Sequence, residues 1–145
     1  MWETNFTINC FRRWLQDHAQ LDDECVAVLA PTGTAAFNVS GRTLHSVLRL
    51  PVPLSQATFQ KATGPALTAL QESFRCVRVV VIDEMSMVGR RMLRALDDRL
   101  RQAKMRPHEP FGGLSLFFSA ATSDSCPLWL TSRCFRRIAR AGPCR

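Results

Sequence analysis

Three short apolar runs along the chain predict buried β-strands. They are Cys25–Ala30, Val77–Ile82 and Leu114–Phe118, and the second ends in four consecutive β-branched residues. Apolar runs of this length are typical of strands that are buried on both faces of a parallel sheet. The pattern therefore predicts a parallel sheet of about three strands.

The segments between these runs carry apolar residues at helical spacing. A helix is predicted over Asn5–Ala19, and shorter helices are predicted over residues 35–39, 43–48 and 65–75. Residues 55–64 are predicted to form a loop. Because helices and strands alternate along the chain, the fold class is α/β, with helices covering a parallel sheet.

The last predicted helix begins near Ser86, a favourable N-cap residue, and ends near Met105. Two pairs of oppositely charged residues in it, Arg94–Asp98 and Asp97–Arg101, lie four positions apart. This spacing brings side chains together on a helix surface and predicts weak ion pairs.

Length and charge divide the chain unevenly. Its 145 residues amount to one domain, and the net charge is +7. Residues 119–145 hold five Arg and one Asp, which leaves residues 1–118 only mildly basic. We expect a folded domain over 1–118 and a disordered basic tail over 119–145. A basic balance agrees with an anionic partner, although charged runs are more often solvated surfaces.

Composition argues against several other classes of protein. The six cysteines form no CxxC pair, so a zinc site is not expected and free thiols in a reducing compartment are. No apolar run approaches the twenty residues of a membrane-spanning helix, so no membrane association is expected. The first residues also lack the pattern of a secretory signal.

The candidate chemistry begins where the second strand ends, at Asp83 and Glu84. Ligands of open α/β sheets bind outside the carboxyl ends of the strands. Two adjacent carboxylates there suit a nucleotide triphosphatase, in which the Asp helps to hold Mg²⁺ and the Glu activates water. The alternative is a strand that simply ends in two solvated acids, and the pair alone does not decide between them.

A second candidate follows the first strand, in the small-residue turn Pro31, Thr32, Gly33 and Thr34. Such a turn can offer backbone N–H and hydroxyl donors to phosphates. The alternative is an ordinary strand-to-helix turn with Thr34 as the helix cap. Phe37 and His45 nearby are expected to be packing residues.

Four segments together carry a family resemblance: Ala30–Val39, Thr43–Ser46, Val81–Met87 and Phe111–Leu114. In this order they resemble successive motifs of the petite-integration-frequency (Pif-type) DNA helicases, superfamily-one motors related to RecD. The resemblance implies a partial RecA-like (P-loop NTPase) domain, with strands in the order 114–118, 77–82, 25–30. The motif G-x-x-x-x-G-K-[ST] does not occur in the sequence, so the P-loop strand is expected to be missing and 114–118 to form an apolar sheet edge.

The resemblance also implies roles for individual residues. Asp83 matches the Mg²⁺-associated carboxylate that acts with ATP, and Glu84 matches the catalytic base. The turn residues Pro31, Thr32, Gly33 and Thr34 match the motif that contacts single-stranded DNA.

The function implied is that of an ATP-dependent DNA helicase, which couples ATP hydrolysis to translocation and unwinding in DNA repair, recombination and telomere maintenance. The implied ligands are ATP with Mg²⁺ and single-stranded DNA, with no obligate protein partner. The implied compartment is the nucleus, or alternatively the mitochondrion. Because the phosphate-binding motif G-x-x-x-x-G-K-[ST] (Walker A) is absent from the sequence, the chain alone is expected to be inactive. It could instead be a non-catalytic single-strand binder or an inert transposon-derived remnant.

Overall fold

The computed structural model describes residues 2–52 and 59–119. Two predictions fall outside the described residues, in whole or in part. They are the tail from residue 120 onward and residues 55–58 of the predicted loop at 55–64. No helix in the described ranges is long and apolar enough to cross a membrane. The elements are α1 (Trp2–Ala19), β1 (Val26–Ala30), α2 (Gly33–Asn38), β2 (Arg42–Thr43), α3 (Leu44–Leu48), α4 (Gly64–Ser73), β3 (Val79–Ile82), α5 (Arg90–Ala103) and β4 (Ser115–Phe118).

The strands form a four-stranded sheet in the order β2-β1-β3-β4, and every neighbouring pair is parallel. This confirms the α/β class and the predicted order of the three apolar strands. The structure adds β2 as a fourth strand. Two residues are too few to show a hydrophobic period, so β2 could not be recognised from the sequence. At the opposite edge, β4 pairs with β3 alone among the described strands, as predicted.

Helices cover both faces of the sheet because successive strand residues point to opposite sides. On one face, Ile8, Phe11 and Leu15 of α1 pack against alternate residues of β1 and β3 and against Phe117. The rings of Phe11 and Phe117 lie 4.5 Å apart, centroid to centroid. On the other face, α3, α4 and α5 bury a second cluster that includes Leu48, Leu70 and Leu96. The sheet is therefore the middle of three layers.

The start of α5 differs from the prediction. A short 3₁₀ turn occupies Met85–Met87, and the helix begins at Arg90 with Gly89 as the N-cap residue. Ser86 is not the helix cap, since its hydroxyl donates to Oε1 of Glu84 at 3.0 Å.

The predicted Asp97–Arg101 ion pair is present at 2.7 Å, whereas the ion pairs of the described residues do not include Arg94–Asp98.

Two polar side chains, one in the middle of α5 and one at its C-cap, fix the helix to its surroundings. Oδ1 of Asp97 accepts a hydrogen bond from the backbone N–H of Phe111 at 2.6 Å, which secures the turn before β4. Nζ of Lys104 donates to the backbone carbonyls of Phe74, Arg75 and Val77 at 3.0 to 3.1 Å. The lysine thus satisfies three carbonyls of the segment that follows α4.

Gly112 explains part of the fourth sequence motif in structural terms. Its φ is +62°, and an added Cβ would collide with the carbonyl oxygen of Leu100 on α5. Only glycine combines this backbone conformation with so close an approach. The motif Phe111–Leu114 therefore contains a packing requirement, whatever its role in binding.

Candidate functional site

The register of the sheet brings the two candidate segments to the same edge. Ala30 pairs with Thr43 of β2, and the preceding residue, Leu29, pairs with Ile82 of β3. The backbone N–H of Asp83 donates to the Leu29 carbonyl at 2.9 Å, and that of Ser119 donates to the Ile82 carbonyl at 2.8 Å. Asp83 and the turn after Ala30 thus follow adjacent strands at the carboxyl edge, where ligands of open α/β sheets bind.

Asp83 is a buried carboxylate whose hydrogen bonding is incomplete. Its side chain is held at 5% exposure, and Oδ1 has no hydrogen-bond partner among the described residues. Burial raises the pKa of the carboxyl above its ordinary value of 3.8 and the charge of Glu84 raises it further, against hydrogen bonds from the Glu84 backbone and the Ser119 side chain. A buried charge in this state costs the fold free energy, so the oxygen is poised for a group that the fold itself does not supply.

Glu84 occupies a strained backbone conformation directly beside this carboxylate. Its φ and ψ are 56° and 49°, in the left-handed region. For a residue with a Cβ this costs roughly 1–2 kcal/mol. The side chain is partly exposed and its Oε1 accepts the Ser86 hydroxyl, so it is oriented but still reachable from solvent. Strain of this kind collects at functional sites, where the surrounding structure maintains it.

The residues after Glu84 leave the site open. The backbone N–H of Met85 donates to the Ser119 carbonyl at 3.0 Å and holds the loop against the end of β4. The side chains of Met85 and Met87 are nevertheless exposed. The loop is therefore anchored through its backbone and presents its side chains outward.

The turn after β1 is built around Thr32. Its Oγ1 accepts the backbone N–H of Ala35 at 3.2 Å, and its carbonyl accepts that of Ala36 at 3.0 Å. Thr32 is therefore the cap of α2, and the alternative that placed the cap at Thr34 was wrong. Gly33 and Thr34 are exposed, and their N–H groups have no acceptor within the helix because they belong to its first turn.

Gly33 has no structural reason to be glycine. An added Cβ would meet no atom of residues 2–52 or 59–119 within 4 Å, and the backbone of Gly33 does not have the positive φ that favours glycine. Glycine without such a reason is common where a ligand approaches the backbone closely.

The expectation that Phe37 is a packing residue was also wrong, because its ring is 85% exposed. A helix of six residues buries only one narrow face, here Ala35 and Ala36.

The second motif continues the same edge beyond β2. Thr43 caps α3, with Oγ1 accepting the Ser46 backbone N–H at 3.3 Å, and the two side chains are joined by a 2.9 Å hydrogen bond. The His45 side chain is half-buried. Its backbone carbonyl accepts hydrogen bonds from Arg49 and Leu50, which end the helix. These contacts give Thr43 and Ser46 a structural role.

The donors at the edge fit Mg²⁺ in a limited sense. Asp83 offers a hard, unpartnered oxygen, and Mg²⁺ sites commonly use one or two carboxylates with water and substrate phosphates. Across residues 2–52 and 59–119, no group of three or more His, Cys, Asp or Glu side chains could hold a metal ion. The described residues therefore offer one carboxylate ligand for Mg²⁺ rather than a complete set of protein ligands.

Comparisons with known proteins give the family of the chain. The family model described as PIF1-like helicase matches residues 10–134, most of the 145 residues. The predicted domain boundary at residue 118 stays a prediction. Among curated relatives, the ATP-dependent DNA helicase PIF3 of Trypanosoma brucei brucei is 31% identical over 119 residues, covering 82% of this chain and 13% of its own length. The ATP-dependent DNA helicase PIF4 of the same organism is 36% identical over 94 residues, covering 63% and 12%.

Solved structures give the same result. A Bacteroides Pif1 helicase in complex with ADP-AlF3 and single-stranded DNA superposes with a TM-score of 0.58 at 31% identity, over 68% of this chain and 23% of that one. The Pif1 helicase of Candida albicans superposes with a TM-score of 0.57 at 28% identity, over 80% and 26%. The sheet is accordingly part of a RecA-like α/β domain. The chain spans about an eighth of the length of the first curated relatives, and it belongs to the PIF1-like helicase family.

Proposed function

We propose that the chain is part of the motor of an ATP-dependent DNA helicase, with Asp83 and Glu84 serving ATP hydrolysis and Pro31, Thr32, Gly33 and Thr34 contacting single-stranded DNA. The observation that carries the proposal is the buried Asp83, with its unpartnered Oδ1 beside a left-handed Glu84. Each feature costs the fold free energy. Both are useful where a cation and a reacting water are to be held.

Each residue has a defined task in this proposal. Asp83 would hold Mg²⁺ directly or through water, and Mg²⁺ when bound neutralises charge on the phosphate oxygens. Glu84 would accept a proton from the attacking water, with Ser86 orienting its carboxylate. The exposed N–H groups of Gly33 and Thr34 would donate to phosphates of the strand.

The finer assignments extend the proposal to the longer protein. They are translocation on single-stranded DNA, duplex unwinding, and work in DNA repair, recombination and telomere maintenance in the nucleus or mitochondrion. Relatives named as ATP-dependent DNA helicases, and a neighbour solved with a nucleotide analogue and single-stranded DNA, support them.

We expect the 145 residues by themselves to bind single-stranded DNA without hydrolysing ATP, since the sequence lacks the phosphate-binding motif. A phosphate-release assay with ATP, Mg²⁺ and oligonucleotide should show no turnover. Turnover that the Glu84→Gln variant abolishes would contradict this expectation, while supporting the role of Glu84.

The single-strand site is tested by adding one methyl group. Fluorescence anisotropy of a labelled oligonucleotide should show that Gly33→Ala weakens binding, because the new Cβ stands where the backbone meets the phosphates. Gly89→Ala is the matched control, since an added Cβ there also meets nothing within 4 Å. Wild-type affinity should fall as salt rises. Equal weakening by both variants, or none by either, would count against a site at this turn.

A further inference from the structure

The exposed ring of Phe37 is a feature that the fold does not use. The residues before it in α2, Ala35 and Ala36, are buried, while Phe37 is 85% exposed. A phenyl ring in water forgoes the burial that makes aromatic residues useful in cores. The ring is therefore available for a contact outside the described fold.

The position of Phe37 on α2 links it to the turn after β1. Gly33 lies four residues before it and Thr34 three, a spacing that places side chains on one helix face. All three residues are exposed, and Gly33 has open space around its Cα. The ring thus stands about 6 Å along the helix from a backbone surface that no described residue covers.

The character of the surface favours an anionic partner with flat apolar parts. Residues 1–118 are mildly basic, and Arg42, on the strand beside β1, is exposed. Single-stranded nucleic acid combines a charged backbone with unpaired bases that stack on aromatic rings. Bases inside a duplex are already stacked and cannot do this.

We propose that Phe37 is a stacking platform for one base of the single strand whose phosphates lie at Pro31–Thr34. The inference rests on the proposed DNA-binding function and adds to it a contact with a base rather than with the backbone. Stacking needs only a π-face, so the contact is insensitive to sequence. By general magnitudes for base–aromatic stacking, loss of the ring should weaken binding about five- to a hundred-fold.

The test uses the full 145-residue chain and a labelled oligothymidine, with anisotropy measured over a series of salt concentrations. Phe37→Ala and Phe37→Leu should both bind about tenfold more weakly, because leucine keeps apolar bulk but cannot stack, and Phe37→Trp should retain affinity. The slope of log affinity against log salt should be unchanged in each, since phosphate contacts set that slope. Phe6→Ala is the matched control, because Phe6 is 72% exposed on α1.

An abasic nucleotide sharpens the assignment. If a base stacks on Phe37, the wild type should lose affinity for an oligonucleotide with abasic sites, and Phe37→Ala should lose much less. If Phe37→Ala binds like the wild type while Gly33→Ala binds weakly, the stacking inference fails and the single-strand site stands. Failure of the wild type to bind any oligonucleotide would overturn both. A dimer in sedimentation that Phe37→Ala converts to monomers would assign the ring to a protein contact and overturn the stacking inference.

Discussion

The loops before and after α5 each involve one aspartate, and the two aspartates differ in their hydrogen bonding. After the helix, the turn at Phe111 is held by Asp97, which accepts hydrogen bonds from Arg101 and from the Phe111 N–H. Before the helix, Asp83 is more deeply buried, yet its Oδ1 has no partner among the described residues. The turn at Phe111 is thus held by a hydrogen bond to Asp97, whereas Oδ1 of Asp83 makes no such bond within the described ranges.

The pKa values of the two aspartates express this difference. Burial acts to raise the pKa of Asp97, but hydrogen bonds from Arg101 and Phe111 and the charge of Arg101 outweigh it, so the pKa lies below 3.8. At Asp83 burial prevails and the pKa lies above 3.8. Ionised Asp97 therefore stabilises the fold, whereas ionised Asp83 destabilises it. Asp97 is therefore a structural carboxylate, and Asp83 is the one for which we propose a ligand.

The largest expected effect is at Gly112. Gly112→Ala should destabilise the chain by about 3 kcal/mol, because the Cβ collides with α5 and the φ of +62° is strained for alanine. Urea denaturation followed by circular dichroism measures the loss.

Gly33→Ala is the control for Gly112→Ala, since alanine is favoured over glycine in helices and the space around Gly33 is open. It should leave stability unchanged or raise it by up to about 1 kcal/mol. Equal losses at both glycines would show that Gly33 is as constrained as Gly112, contrary to the open space around it.

A smaller effect is expected from Asp97→Asn, about 1–2 kcal/mol of destabilisation at pH 7. Because the folded pKa of Asp97 is depressed, its contribution is present above pH 3.8 and is lost as the pH falls through the folded pKa. The difference in free energy of unfolding between wild type and variant should therefore narrow as the pH falls below 3.8. Asp98→Asn, one residue away, should change stability by less than about 0.5 kcal/mol. A gap independent of pH would argue against the ionised contact.

The sequence predicted the sheet well because its strands are continuous apolar runs. The strand order came from the family resemblance. The strand β2 and the 3₁₀ turn at Met85–Met87 escaped prediction, since two or three residues carry no period. Ser86 looked like a helix cap by type, but its hydroxyl is taken by Glu84.

Composition and spacing could place the candidate residues at one edge but could not show their state. The unpartnered Oδ1 of Asp83 and the left-handed backbone of Glu84 are set by three-dimensional packing, which sequence patterns do not display. The exposure of Phe37 was missed because apolar residues at helical spacing are usually buried. Its signal in the sequence was the shortness of the helix between Thr32 and the glycine at position 41.

The smallest expected change in the free energy of unfolding comes from Asp83→Asn, which also tests the state of this carboxylate most directly. A group whose folded pKa is raised loses stabilisation as the pH rises from 3.8 through the folded pKa, so at pH 7 ionised Asp83 works against the fold. Replacing it with a neutral amide of the same shape should make the chain more stable at pH 7 by about 1 kcal/mol.

The free energy of unfolding of Asp83→Asn at pH 7, measured beside Asp97→Asn, is the decisive measurement. The account predicts opposite signs, with Asp83→Asn stabilised and Asp97→Asn destabilised. If Asp83→Asn is instead destabilised like Asp97→Asn, Asp83 is a structural carboxylate, and the claim that this loop is built for a ligand is wrong.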